Sequence, residues 1–202
     1  SQFRYGMNTD FGNVLLYGEL STDSPVTFDE IGNGYIYIEK VREDYTRHTR
    51  TVTKKDSNGN TYTETEVYYS WDYVSSEHLA TDTIVFLDEP FSYGTITLPV
   101  RRLNLADAGV EKQRWNYIYK NSDTRYYYNV TDVSLVGTVF ATLSDGTIKN
   151  ASSLYENDTP TEVIESVQQS ETLYLIFFWL AWVVFMVGCV YGFLYLENRW
   201  LD

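Results

Sequence analysis

Covalent cross-links are the first thing this chain lacks. Its 202 residues include one cysteine, Cys189, inside an apolar run, so neither a disulfide framework nor a cysteine-based zinc site can form within the chain. Histidine is nearly as scarce. His48 lies in "YTRHTR" and His78 in "SSEHLA", and both read as surface residues. No G-x-S-x-G elbow, H-E-x-x-H helix, P-loop or G-x-G-x-x-G turn stands in the sequence. Acidic residues are plentiful, but no spacing singles out a glycosidase-like carboxylate pair. The stretch "DSNGN" has neither the spaced acidic ligands nor the closing glutamate of a calcium loop, and reads as a turn. The expectation is a protein that is not an enzyme and carries no cofactor and no metal. Positive charge is also sparse: 15 Lys and Arg stand against 28 Asp and Glu, a net charge of −13. Such a chain is repelled by phosphate backbones, which argues against nucleic acid as a partner.

What is abundant is tyrosine, at 19 residues, in company with threonine and valine. These side chains favour pleated, half-buried surfaces. Short runs that fit strands recur between turn signals: Asn13 to Ser21, Gly34 to Asp44, Asp82 to Leu87, Gly94 to Leu103, Arg114 to Lys120, Thr124 to Val133, and the pair flanking Asp145-Gly146. Residues 106–113 read as a polar connection. About ten short strands at this spacing predict a mostly β domain over 1–158, an antiparallel sandwich or barrel.

The stretch "RTVTKKDSNGNTYTETEVYYSWD", Arg50 to Asp72, is the most distinctive. Asn58-Gly59 signals a two-residue type I′ turn, which predicts a long hairpin arm over 45–72. That turn sets Thr51 opposite Glu66, Thr53 opposite Glu64 and Arg50 opposite Val67. Neither face near the tip is apolar enough to cover a core, whereas Tyr68, Tyr69, Trp71 and Tyr73 gather at the base. The reading is a ribbon anchored by aromatics with a solvated, projecting tip; a long irregular loop is the alternative. A projecting ribbon has few contacts of its own to order it, so its expected use is contact with a partner. Arg47, Arg50, Lys54, Glu64 and Glu66, with Tyr69 and Trp71 at the base, are the candidate partner-binding residues.

Helix signals concentrate at the C-terminal end. Thr159-Pro160-Thr161-Glu162 forms a capping box with proline at the first helical position. Leu173 to Leu196 follows without a charged residue; as a helix it rises roughly 36 Å, enough to cross a hydrocarbon core of about 30 Å. The expectation is one continuous helix: a stalk over 159–171, a transmembrane span over 172–196 with Tyr174, Tyr191, Tyr195 and Trp200 near the interfaces, and a short tail over 197–202. Arg199 lies beyond the span, and no Lys or Arg lies between Ala151 and Glu171, so the positive-inside rule places the β domain outside and the C-terminus in the cytoplasm. No signal-peptide pattern is visible in "SQFRYGMNTD"; either a leader is removed or the chain inserts by its C-terminal anchor. Ala181, Gly188 and Gly192 share nearly one helix face with G-x-x-x-G spacing, a candidate packing stripe for another transmembrane helix. Asn129, Asn150 and Asn157 head glycosylation sequons that matter only in a eukaryotic secretory pathway.

The segments "YGEL", "GYIYIEKVRED", "YYSWD", "DTIVFLDEPF" and "YGTITLP", spanning roughly residues 17 to 99, resemble membrane-tethered β domains of the GIDE and LUMA type. The resemblance implies a β domain beside membrane helices with a polar, charged hairpin, and no activity. The RING finger of GIDE-type ubiquitin ligases is missing, since Cys189 stands alone. The "YYSWD" hairpin is also similar to those of single-pass proteins of bacteria and phages. Together these features predict a non-enzymatic, single-pass membrane protein, a structural or accessory subunit that meets the bilayer and other membrane proteins. A viral or phage membrane component and a cell-surface ligand-binding module are the alternatives; the sequence names no small-molecule ligand.

Overall fold

The computed structural model describes residues 2–200, and the side chains of Glu171, Gly192 and 194–200 lie outside that description. The chain divides into two compact units, one ending at Asn157 and the other beginning at Asp158.

The first unit is mostly β, with two antiparallel sheets, one of them a half-barrel. A short helix α1 (Gln2–Asn8) precedes β1 (Gly12–Ser21), which runs the length of β9 (Ser134–Ser144) from Gly12↔Leu143 to Ser21↔Ser134. Alongside lie β10 (Thr147–Lys149) and β11 (Tyr155–Glu156) on β9, and β4 (Thr83–Phe86) with β5 (Glu89–Ser92) beyond β1. Alternation along these strands turns Leu20, Ile84, Phe86, Val139, Ala141 and Leu143 to one buried cluster, which also takes in Met7 of α1. Arg4 closes α1 onto β5 through a two-pronged pair with Glu89, at 2.8 and 2.9 Å.

The second sheet runs in the order β3 (Thr61–Ala80), β2 (Tyr37–Lys55), β8 (Thr124–Thr131) and β6 (Arg101–Arg102), with β7 (Ile118–Tyr119) also on β8. Its inner face buries Ile38, Tyr128 and Val130 against Ile31, Tyr35, Leu103 and Leu105. The β8 strand accompanies β2 only from Tyr37 to Asp44. From Tyr45 onward β2 and β3 continue alone as a two-stranded ribbon, about 35 Å long at ordinary strand rise.

Several sequence expectations are corrected. Residues 94–103 form no long strand: Pro99 has no N–H to donate, and the segment's carbonyls serve other elements, Thr97 receiving the Leu154 N–H and Pro99 the Thr131 hydroxyl. Only Ile118–Tyr119 is strand within 114–120, because Trp115 and Asn116 both take positive φ in a tight turn between Arg114 and Tyr117. The 87–88 stretch hides a second such turn, with Leu87 and Asp88 at φ 52° and 64°. Leu87 is held there by packing over Gly18, where a Cβ would lie 2.3 Å from its Cδ2. Helix also appears at the start of the chain, as α1, which buries Met7 and closes at its C-terminal end with Asp10 at φ 51° and the Phe11 N–H donating to the Gly6 carbonyl at 3.1 Å.

The second unit is dominated by α2 (Pro160–Trp200), a single 41-residue helix. Its start is the capping box: the Thr159 N–H donates to Glu162 Oε2 at 2.8 Å and the Glu162 N–H to Thr159 Oγ1 at 3.4 Å. From Leu173 to Phe193 its described side chains are exposed and almost wholly apolar, and Pro160–Tyr191 is long and apolar enough to cross a membrane.

Candidate functional site

The ribbon is set by its tip, and the tip is not the turn that Asn58-Gly59 alone predicts. Asp56 and Asn60 face each other across a three-residue loop: the Asp56 N–H donates to the Asn60 carbonyl at 2.9 Å and the Gly59 N–H to the Asp56 carbonyl at 3.1 Å. Gly59 alone takes the left-handed conformation, at φ 84°. The Asp56 carboxylate accepts the N–H groups of Asn58 and Asn60, at 2.9 and 2.8 Å, which favours a type I turn followed by a glycine bulge over type I′. At Asp145-Gly146, where both residues have positive φ, the two-residue turn does form and Ser144 faces Thr147.

The longer tip moves the register by one residue. Arg50 faces Glu66, Val52 faces Glu64, Thr49 faces Val67 and Arg47 faces Tyr69. A one-residue slip exchanges every side chain of one strand between faces, so the expected faces are re-sorted. One face now carries Asp44, Thr46, His48, Arg50, Val52 and Lys54 with Tyr62, Glu64, Glu66, Tyr68, Ser70 and Asp72; the other carries Tyr45, Arg47, Thr49, Thr51 and Thr53 with Thr63, Thr65, Val67, Tyr69 and Trp71.

The first face is a ladder of ion pairs. Arg50 reaches Glu66 at 3.0 Å, Lys54 reaches Glu64 at 2.8 Å and Glu66 at 3.1 Å, and His48 Nε2 lies 2.5 Å from Asp72. Hydrogen bonds from Lys54, then from Arg50, hold the Glu66 carboxyl below its usual range. Hydrogen bonds from Ser70 and His48 do the same for Asp72, and Glu64 with Glu66 raises Lys54. Four of the expected partner-binding residues, Arg50, Lys54, Glu64 and Glu66, thus serve one another.

The second face is different in kind, and it continues the outer face of the sheet, opposite the buried Ile38, Tyr128 and Val130. The Arg102 guanidinium lies over Tyr127 at 3.4 Å. Arg125 is sandwiched between Tyr117, at 3.7 Å, and Trp71, at 4.2 Å. The Trp71 ring meets Tyr119 at 5.8 Å and Tyr45 at 5.2 Å, and Tyr45 stacks on Tyr69 at 5.4 Å. The result is one aromatic and arginine band from the β6 edge to the ribbon. Arg125 also pairs with Glu43 at 2.7 Å, both side chains under one-fifth exposed. Tyr45 and Tyr69 are about half exposed. Arg47, across from Tyr69, is exposed and in no ion pair among the described residues. Of the residues expected from sequence, the structure therefore brings Arg47, Tyr69 and Trp71 together on this face. Tyr45, Tyr117, Tyr127, Arg102 and Arg125 were not foreseen; their one signal in the sequence is the odd-numbered alternation of Arg125 and Tyr127 with β2.

Elsewhere, Asn129 sits in mid-sheet with its amide donating to Glu39 at 2.9 Å, whereas Asn150 and Asn157 are exposed. Ala181 is exposed on α2, and a Cβ on Gly188 would meet nothing within 4 Å; the surroundings of Gly192, and the side chains of Tyr195, Arg199 and Trp200, lie outside the described residues. A depression of about 410 Å³ is lined by Tyr35, Arg101, Asp107 and Asp132, with Arg101 gripping Asp132 at 2.7 and 2.6 Å. No family model matches the chain, and neither the curated proteins nor the solved structures give a match.

Proposed function

We propose that this chain is a non-enzymatic, membrane-anchored binding subunit: α2 spans a bilayer once, and the aromatic face of the β2–β3 ribbon docks another protein of a membrane assembly. One observation carries the reading. The ribbon extends past β8 with no core behind it among the described residues, its charges on one face neutralise one another, and the opposite face presents tyrosine, tryptophan and arginine, the side chains that dominate protein interfaces. Exposed Tyr and Arg at the root of an ordered ribbon have an interface as their natural occupant. An exposed apolar helix of this length is stable in hydrocarbon and not in water, which supports the anchor. The single arginine beyond the span and the acidic stretch before it favour the β domain outside and the C-terminus in the cytoplasm.

The test is extraction of the tagged full chain from its native membrane in mild detergent. Deletion of residues 53–63 and the double substitution Tyr45→Ser, Tyr69→Ser are each expected to strip the associated proteins while leaving the chain in the membrane fraction. A complex unchanged by both variants contradicts the reading.

A further inference from the structure

The ribbon has two edges, and they differ. The β3 edge carries Glu64, Glu66, Asp72 and Glu77 and no Lys, Arg or Pro over its 20 residues. The β2 edge, where β8 stops opposite Asp44, carries Arg47, His48, Arg50, Lys54 and Lys55 between Tyr45 and the tip, and no carboxylate. The backbone on this edge has a defined phase. The Tyr45 N–H points outward, donating to the Asp123 carbonyl at 2.8 Å, whereas the Asp56 N–H points inward, to Asn60. Between them the phase alternates, so the N–H and C=O groups of Arg47, Thr49, Thr51, Thr53 and Lys55 face outward, with no partner strand beside them among the described residues. The side chains of those same residues lie on the aromatic face. Neither Arg47 nor Lys55 is in an ion pair among the described residues.

Resting on the reading that the ribbon docks a protein, we infer that the β2 edge from Arg47 to Lys55 is a strand-addition site for an extended acidic segment of that partner. The track is the vacant continuation of β8 beyond Thr124. An added strand there completes the main-chain ladder, which provides affinity independent of sequence, and its carboxylates meet Arg47 and Lys55. Charge complementarity selects the occupant: a second copy offering its own β2 edge brings cations against cations, and its β3 edge already has Glu64 and Glu66 engaged with Lys54 and Arg50.

The experiment uses the full chain in detergent micelles with two ten-residue probe peptides, one alternating Glu and Val, the other Lys and Val. Amide hydrogen exchange and fluorescence anisotropy are the readouts. The Glu peptide is expected to bind and to slow exchange at Arg47, Thr49, Thr51, Thr53 and Lys55, with affinity falling at least tenfold between 50 and 200 mM salt; the Lys peptide is expected not to bind. Thr51→Pro removes one outward N–H and no bond to β3. It is expected to weaken the Glu peptide at least tenfold while Arg50 and Val52 keep their slow exchange. The double substitution Arg47→Glu, Lys55→Glu is expected to reverse the preference between the peptides. Glu-peptide binding that is indifferent to both variants, or absent, overturns the inference. Concentration-dependent protection of the same amides without peptide also overturns it, in favour of a second copy. If Tyr45→Ser, Tyr69→Ser strips the native partner and Thr51→Pro does not, the docking face stands and the added strand falls.

Discussion

Arg125 concentrates the energetics of the aromatic face in one side chain. Its guanidinium is stacked on two rings and paired with Glu43, and both members of the pair are largely shielded from water. Removing it strands a shielded carboxylate and takes the cation from between Trp71 and Tyr117. We expect Arg125→Ala to cost about 2–3 kcal/mol in thermal unfolding, and Arg125→Lys to recover only part of it, because an ammonium stacks and forks poorly. The ribbon's carboxylates give a second prediction. Asp56, Glu66 and Asp72 all have folded pKa values held below their usual range: Asp56 by hydrogen bonds from Asn60, Glu66 by those from Lys54, Asp72 by those from Ser70. A depressed folded pKa means that the stabilisation is fully present above the unfolded values, near 4, and is lost as pH falls through the folded ones. Amide protection along 46–70, relative to the intrinsic exchange rate, is therefore expected to fall selectively below about pH 4, ahead of protection in β1 and β9; a uniform loss across both sheets contradicts this. Arg47, Tyr69 and Trp71 stand out in the sequence by residue type alone, and the structure places them on one face of the ribbon. The band they join was not legible there, since Tyr117 reaches it through a turn at Trp115-Asn116 that has no glycine to announce it, and Arg125 and Tyr127 reach it only through the pairing of β8 with β2.

At the scale of elements, the long ribbon, the helix cap and the strand pairs around Asp145-Gly146 were readable from local chemistry, because each is decided within a few residues. The ribbon's register was not, although its tip is equally local. Two turn solutions compete at Asp56-Ser57-Asn58-Gly59, and the Asp56 carboxylate decides between them by capping two N–H groups. Missed elements share another cause: α1, β5 and the 97–99 crossing are fixed by tertiary contacts, to Glu89, Gly18, Leu154 and Thr131. The pairing of β11 on β9 shows how tight such contacts become. A Cβ on Gly137 would lie 2.2 Å from the Tyr155 carbonyl oxygen, so Gly137→Ala must displace β11 from the sheet. A loss of about 1–3 kcal/mol is expected, with exchange at Tyr155 and Glu156 rising more than at β1; unchanged stability would mean that β11 is dispensable to the fold.

For the molecule as a whole, the proposed function joins a membrane anchor to a docking face. The anchor is checked by Val184→Lys, in the middle of the apolar run, at an expected insertion cost of about 2.5–3.5 kcal/mol. The wild-type chain should stay in the membrane pellet through an alkaline carbonate wash and the variant should be released in large part; equal retention would assign membrane attachment to something other than α2. The docking face is tested most directly by photo-crosslinking in the native membrane. A photoreactive residue is placed at Thr49 on the aromatic face, at Val52 on the ion-pair face, or at Asp10 far along the chain. The account predicts one discrete crosslinked protein from Thr49, little from Val52 and none from Asp10, with the Thr49 product abolished by Tyr45→Ser, Tyr69→Ser. Equal products from all three positions, or a Thr49 product indifferent to the tyrosines, would contradict it.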